Sequence, residues 1–312
     1  MKVLITGGGG FLGSNLVKFL SERSEVHEIF SVGFSQLKRP EFPKERYYAL
    51  DLRNREFCGL FFYQTRPDWV FDFASVVGGF EFNNSQSALI LHDATMMNLN
   101  VLDCVKEYGV KKFLFASTAC VYPKEANFLK EESAYPINPE NYYGLQKIFM
   151  ENVIAEYAKS YGFEVYLARL QNVYGPYIQF EGYRAKGLAD ICRKMMLADK
   201  SVVLKGDGRQ VRDYTYSEDA MEGIWKLAHT DFHKPLNICS GKAVTIHEYA
   251  TTIMKVLGKK LEIGYDHQIG KGVFRRMSSN QLAKKVIDWE PSTPLEAGIR
   301  KMVDWMEKEM KK

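Results

Sequence analysis

Apolar positions in the first half of the chain come in short runs, each followed by a segment with helical spacing. "KVLIT" (2–6) is a β-branched run that leads through four glycines into the helical pattern "FLGSNLVKFLSE". "VHEIFSV" (26–32), "RYYALDL" (46–52), "DWVFDFAS" (68–75), "KKFLFAS" (111–117) and "FEVYLARL" (163–170) predict further strands, and 92–108 and 141–161 predict helices between them. Strands alternating with helices imply parallel pairing through right-handed crossovers. The predicted fold is therefore α/β, with a doubly wound, parallel, Rossmann-like sheet. Beyond residue 175 the rhythm loosens. A glycine-bearing loop (175–187), the stretch "SVVLKGDGRQVRDYTY" and helices near 188–198, 218–229, 245–257 and 294–311 predict a smaller α+β portion. The expected division is a dinucleotide-binding domain over 1–174, rejoined by the chain at about 213–240, and a mainly substrate-binding domain over 175–312.

Composition narrows the class without naming a chemistry. The chain has 312 residues, 46% hydrophobic and 26% charged, which is ordinary for a globular protein with ample core. A net charge of +4 suits an anionic ligand but gives no electrostatic case for nucleic acid. Five cysteines (58, 104, 120, 192 and 239) without a CxxC spacing argue against a disulfide framework or a zinc site, and point to a reducing cytoplasm. A strand pattern starting at residue 2 predicts no leader, and no apolar run is long enough to span a membrane.

Gly7, Gly10 and Gly13 form GxxGxxG between the first strand and the first helix. Glycine is required where backbone turns sharply, lets a pyrophosphate approach amide N–H groups, and packs helix on strand. Asp51 follows the third strand candidate, placed to meet an adenine amine. Tyr143 and Lys147 lie four apart in a helical pattern, hence on one face. An ammonium near a phenol favours the phenolate, so a lowered Tyr143 pKa is expected.

The glycine loop, "STACVYP" (117–123), Tyr143-x-x-x-Lys147, "RLQNVYGP" (169–176) and "GDGRQVRDYTYSED" (206–219) together resemble the extended short-chain dehydrogenase/reductase family over essentially the whole chain. That resemblance implies a bound dinucleotide, a nucleotide-diphosphate-sugar substrate and a homodimer. It implies cofactor contacts from Gly7, Gly10, Phe11, Leu12, Gly13, Asp51, Leu52, Tyr143 and Lys147, with Thr118 as the hydroxyl partner of Tyr143. Ala119 and Cys120 stand where the dehydratases of the family carry an Asp-Glu pair, so water loss lacks its proton donor.

Several segments are similar to the branch that epimerises GDP-mannose at C3 and C5. By that similarity Cys120 and Lys186 (in "EGYRAKGLADICRK") are opposed proton carriers. Gly78 and Gly79 (in "FASVVGGFEF") line the sugar. Asn172, Lys186, Arg212 and Arg276 (in "GVFRRMSSNQL") bind substrate, with Arg184 a further basic candidate. The chemistry is coherent. Oxidising C4 to a ketone makes the C3 and C5 hydrogens removable, and inversion then needs a base on one face and an acid on the other. Which of Cys120 and Lys186 is base stays open.

One departure bears on the cofactor. Gly33 ends the second strand where an acid would hold the adenosine ribose, and Lys38 and Arg39 follow. NAD is the expected cofactor, with NADP left open. The rival activity is a GDP-4-keto-sugar 3,5-epimerase/4-reductase, which uses NADPH and pairs its cysteine with histidine rather than lysine. A GDP-sugar 4-dehydrogenase or 4-reductase is a second rival.

Overall fold

The computed structural model describes residues 1–36, 41–267 and 274–311. Lys38 and Arg39, and the first two residues of "GVFRRMSSNQL", lie outside the described residues. Strands β1 (Lys2–Thr6), β2 (Glu28–Gly33), β3 (Glu45–Ala49), β4 (Trp69–Asp72) and β5 (Lys112–Thr118) form on the predicted apolar runs. With Glu164–Leu170 and Pro235–Ile238 they make one seven-stranded sheet. Its order is Pro235–Ile238, Glu164–Leu170, β5, β4, β1, β2, β3, and every neighbouring pair is parallel.

Alternation along the strands feeds two cores. Val3 and Ile5 of β1 join Leu16, Leu20, Ile29 and Phe71 on one face, while Leu4 joins Phe30, Val70, Phe113 and Phe115 on the other. Burial on both faces explains why these strands read as continuous apolar runs. Each fully buried aliphatic or aromatic side chain contributes about 1.5–3 kcal/mol relative to exposure. The helix expected over 92–108 begins differently, with a π-helical segment Ile90–Ala94 running into the α-helix Thr95–Glu107.

Strand order reverses between β1 and β4, and in such sheets ligands bind beyond the carboxyl ends of the strands at that crevice. The later residues build their own core around Tyr174, Tyr216, Tyr249, Ile253, Met302 and Met306. Three of their strands join Phe128–Leu129 from the first half in a small sheet ordered Val244–Thr245, Val211–Arg212, Arg275–Ser278, Phe128–Leu129. Among the described residues no helix is long and apolar enough to cross a membrane.

Candidate active site

The glycine loop after β1 is built for close approach. Gly7 has a left-handed φ of 64°, and a β-carbon there would lie 2.7 Å from the carbonyl oxygen of Phe73, just past β4. On Gly13 it would lie 2.2 Å from the Gly7 oxygen, so helix α1 (Phe11–Ser21) packs flat on the loop. Gly10 is the N-cap of α1 and offers no side-chain cap, which leaves first-turn amides such as those of Phe11 and Leu12 uncapped by a side chain. This cradle fits a dinucleotide pyrophosphate. Asp51 is less simply placed. Arg53 grips its carboxylate through Nε (2.9 Å to Oδ1) and Nη2 (2.7 Å to Oδ2) while reaching Asp93 at 2.6 Å. That clamp holds the Asp51 carboxyl below its usual range. Leu52 beside it is buried.

Thr118 ends β5, and its Oγ1 accepts the Cys120 N–H (3.2 Å), capping the 3₁₀ turn Ala119–Val121. Opposite it, Asn141 caps the helix Tyr142–Tyr161 by accepting the Gly144 N–H (3.0 Å). Turn and helix touch at Gly144, which brings Tyr143 beside Thr118 and Cys120. Burial pushes the Tyr143 phenol well above its ordinary pKa, Cys120 adds to that, and a hydrogen bond with Thr118 pulls the other way. The lowered value expected from the four-residue spacing is corrected here. Burial is the dominant cause, and the Lys147 ammonium is directed instead at the Ala116 carbonyl (2.8 Å) and over the Phe115 ring. Burial brings Lys147 itself down to about 8, against the pull of Asp72 and Glu151.

Lys186 is the N-cap of the helix Gly187–Leu197, and its Nζ donates to the Gly78 carbonyl at 3.1 Å. A β-carbon on Gly79 would lie 2.5 Å from the Ala185 oxygen, so the glycine pair is what lets the Lys186 loop close in. Burial lowers the Lys186 pKa and Cys120 opposes the shift, which places thiol and amine within electrostatic reach. The position also sets a cation at the positive end of a helix. Cys58, Cys104, Cys192 and Cys239 are buried, whereas Cys120 is half-exposed. Burial raises the thiols of Cys58, Cys104 and Cys192 to about 12.

Arg212 and Arg276 are register partners on neighbouring parallel strands. Burial lowers the Arg212 pKa and the Arg276 charge adds to this. Side-by-side guanidinium groups are unfavourable by themselves and suit a diphosphate. Arg276 is already engaged, however. It pairs with Glu140 (3.0 Å) and donates to the carbonyls of Ala119 (2.7 Å) and Tyr122 (3.0 Å), bracketing Cys120. Asn172 adopts φ 35° and its Nδ2 holds the Asp213 carbonyl at 3.0 Å. Arg184 is exposed and stacks its guanidinium over Phe82.

The structure thus gathers Thr118, Cys120, Tyr143, Lys186 and Gly78 into one cluster, with Lys147 buried nearby. Sequence reading passed over Gly144, Glu140, Asp72 and Asp213. Gly144, directly after the tyrosine in "NYYGLQK", carried a readable signal; the other three are acids, Asp72 and Asp213 buried and Glu140 partly so, whose surroundings only the fold shows.

A loop cradle for pyrophosphate beside a Thr–Tyr–Lys group defines a dinucleotide-dependent enzyme. The profile of the NAD dependent epimerase/dehydratase family matches residues 3–239, and the chain belongs to that family, the extended short-chain dehydrogenase/reductase type. It is 34% identical to "GDP-mannose 3,5-epimerase 1" of Oryza sativa subsp. indica, over 100% of this chain and 83% of the relative. "GDP-mannose 3,5-epimerase" of Arabidopsis thaliana is 33% identical over 100% of this chain and 84% of its own length. Among solved structures, UDP-glucose 4-epimerase of Thermotoga maritima with UDP-glucose superposes with a TM-score of 0.90. It is 26% identical, covering 99% of this chain and 100% of the other.

Proposed function

We propose that the protein is a GDP-sugar epimerase that inverts C3 and C5 of GDP-mannose or a related GDP-hexose or heptose, using tightly held NAD. The observation that carries this reading is the clustering of Cys120, Lys186 and Tyr143: the Cys120 turn packs on Gly144 beside the tyrosine, and the partly desolvated Lys186 amine lies within electrostatic reach of the thiol. When bound, NAD accepts the hydride from C4 and returns it at the end.

Residues 1–174, with the returning segment 213–240, hold the dinucleotide. Gly7, Gly10, Phe11, Leu12 and Gly13 meet its pyrophosphate, and Asp51 and Leu52 its adenine. The remainder of 175–312 holds the sugar nucleotide. Tyr143 takes the proton of the C4 hydroxyl while Thr118 orients it, and Lys147 supplies positive charge from below. Cys120 and Lys186 then work on opposite faces of the 4-keto sugar, one removing the α-proton and the other donating to the enolate. Gly78 and Gly79 shape the sugar pocket and Asn172 contacts the substrate. Arg212 meets the diphosphate, and Arg276 adds charge there while holding the turn that carries Cys120.

The exposed Tyr142, Leu145 and Phe149 along one helix support a homodimer, and five free thiols suit the cytoplasm. The test is incubation of the purified protein with GDP-mannose and no added reductant. Epimerised GDP-hexose with bound NAD restored supports the reading. Turnover only with added NADPH would replace it with the epimerase/reductase.

A further inference from the structure

In Rossmann-like folds the acid ending the second strand holds the adenosine ribose, so the ribose lies between that strand end and the glycine loop. Here Gly33 ends β2, yet the space above it is filled. A β-carbon on Gly33 would lie 2.4 Å from the Tyr47 hydroxyl, and one on Gly9 would lie 2.8 Å from the same oxygen. The Tyr47 hydroxyl therefore stands between the loop and the strand end, where the carboxylate of that acid would reach toward the ribose.

It is fixed there from two directions. Tyr47 pairs in register with Ser31 on β2, two residues before Gly33 on the same face. Its hydroxyl donates to the Ser35 carbonyl at 2.8 Å, across the turn that follows β2. Ser31 in turn lies under Gly8, whose β-carbon would meet its Cβ at 2.5 Å. The phenol is thus wedged between the loop and the β2 turn. It also dictates two glycines: any larger residue at position 9 or 33 would displace it.

We infer that Tyr47, not a carboxylate, is the specificity-determining residue for the cofactor, admitting a ribose 2′-hydroxyl and excluding a 2′-phosphate by occupying its volume. This deepens the NAD assignment proposed above and does not depend on which sugar is turned over. A hydroxyl needs one polar contact, whereas a phosphate needs room for three oxygens.

The test is direct binding of NAD⁺ and NADP⁺ to cofactor-stripped protein by calorimetry, with circular dichroism to check that each variant folds. Wild type should bind NAD⁺ more tightly than NADP⁺ by about tenfold or more. Tyr47→Ala should narrow or reverse that ratio by improving NADP⁺ binding. Tyr47→Phe should keep most of the exclusion while weakening NAD⁺ by about threefold to tenfold. A wild type that prefers NADP⁺, or a ratio unchanged in a folded Tyr47→Ala, overturns the inference. Discrimination that persists in a protein unable to epimerise would condemn the sugar reading alone.

Discussion

The Cys120 carbonyl oxygen packs so closely on Gly144 that a β-carbon there would lie 2.0 Å from it. This contact joins the turn bearing the thiol to the helix bearing Tyr143, two elements far apart in sequence. It sets their spacing more tightly than any side-chain bond could, because backbone on both sides has little freedom to give.

Gly144→Ala should therefore separate the two. Overpacking of this kind costs about 1–3 kcal/mol. A shift near 1 Å at the reacting groups lowers kcat on the order of 100-fold. Thermal unfolding and steady-state kinetics check this together. A variant with wild-type kcat would show that the contact does not position the site.

Arg276 offers a second separation of roles. Its guanidinium brackets Cys120 through the carbonyls of Ala119 and Tyr122 and is anchored by Glu140. Arg276→Met should lower kcat by about 10- to 100-fold, with a smaller rise in KM. A large rise in KM with kcat intact would mean that diphosphate contact is its whole role.

Asp213 gives a prediction in pH. It is fully buried, its Oδ2 accepts the Ser278 N–H at 3.2 Å, and burial raises its carboxyl from an ordinary 3.8 to about 7. Between those values the folded protein holds a proton that the unfolded chain has lost. The stabilisation is complete below 3.8 and disappears as pH rises through about 7. Asp213→Asn keeps the acceptor without the charge, so its stability relative to wild type should grow by a few kcal/mol from pH 5 to pH 8 on the order of this shift. Denaturant unfolding at both pH values decides it, and a constant difference would contradict the assignment.

How much of this was legible in the sequence follows from range. The strands were readable because residues buried on both sheet faces, such as Val3, Leu4 and Ile5, leave an unbroken apolar run. Gly7, Gly10 and Gly13 were readable because their constraint is local. The pKa of Tyr143 was not, since a four-residue spacing reports a shared helix face but not burial. Nor was the filling of the space above Gly33, because Tyr47 reaches it from a different strand. The bracketing of Cys120 by Arg276 likewise depends on a sheet pairing between distant segments.

The most direct measurement concerns the two proton carriers. Wild type, Cys120→Ser and Lys186→Met are each incubated with GDP-mannose in deuterium oxide. The label at C3 and C5 is followed by NMR, and reduction of bound NAD by absorbance. Proton transfer by an opposed thiol and amine predicts deuterium at both carbons for wild type. In both variants it predicts loss of labelled, inverted product by about 100-fold or more while C4 oxidation persists. Undiminished label in both variants, or no label with wild type, would contradict it.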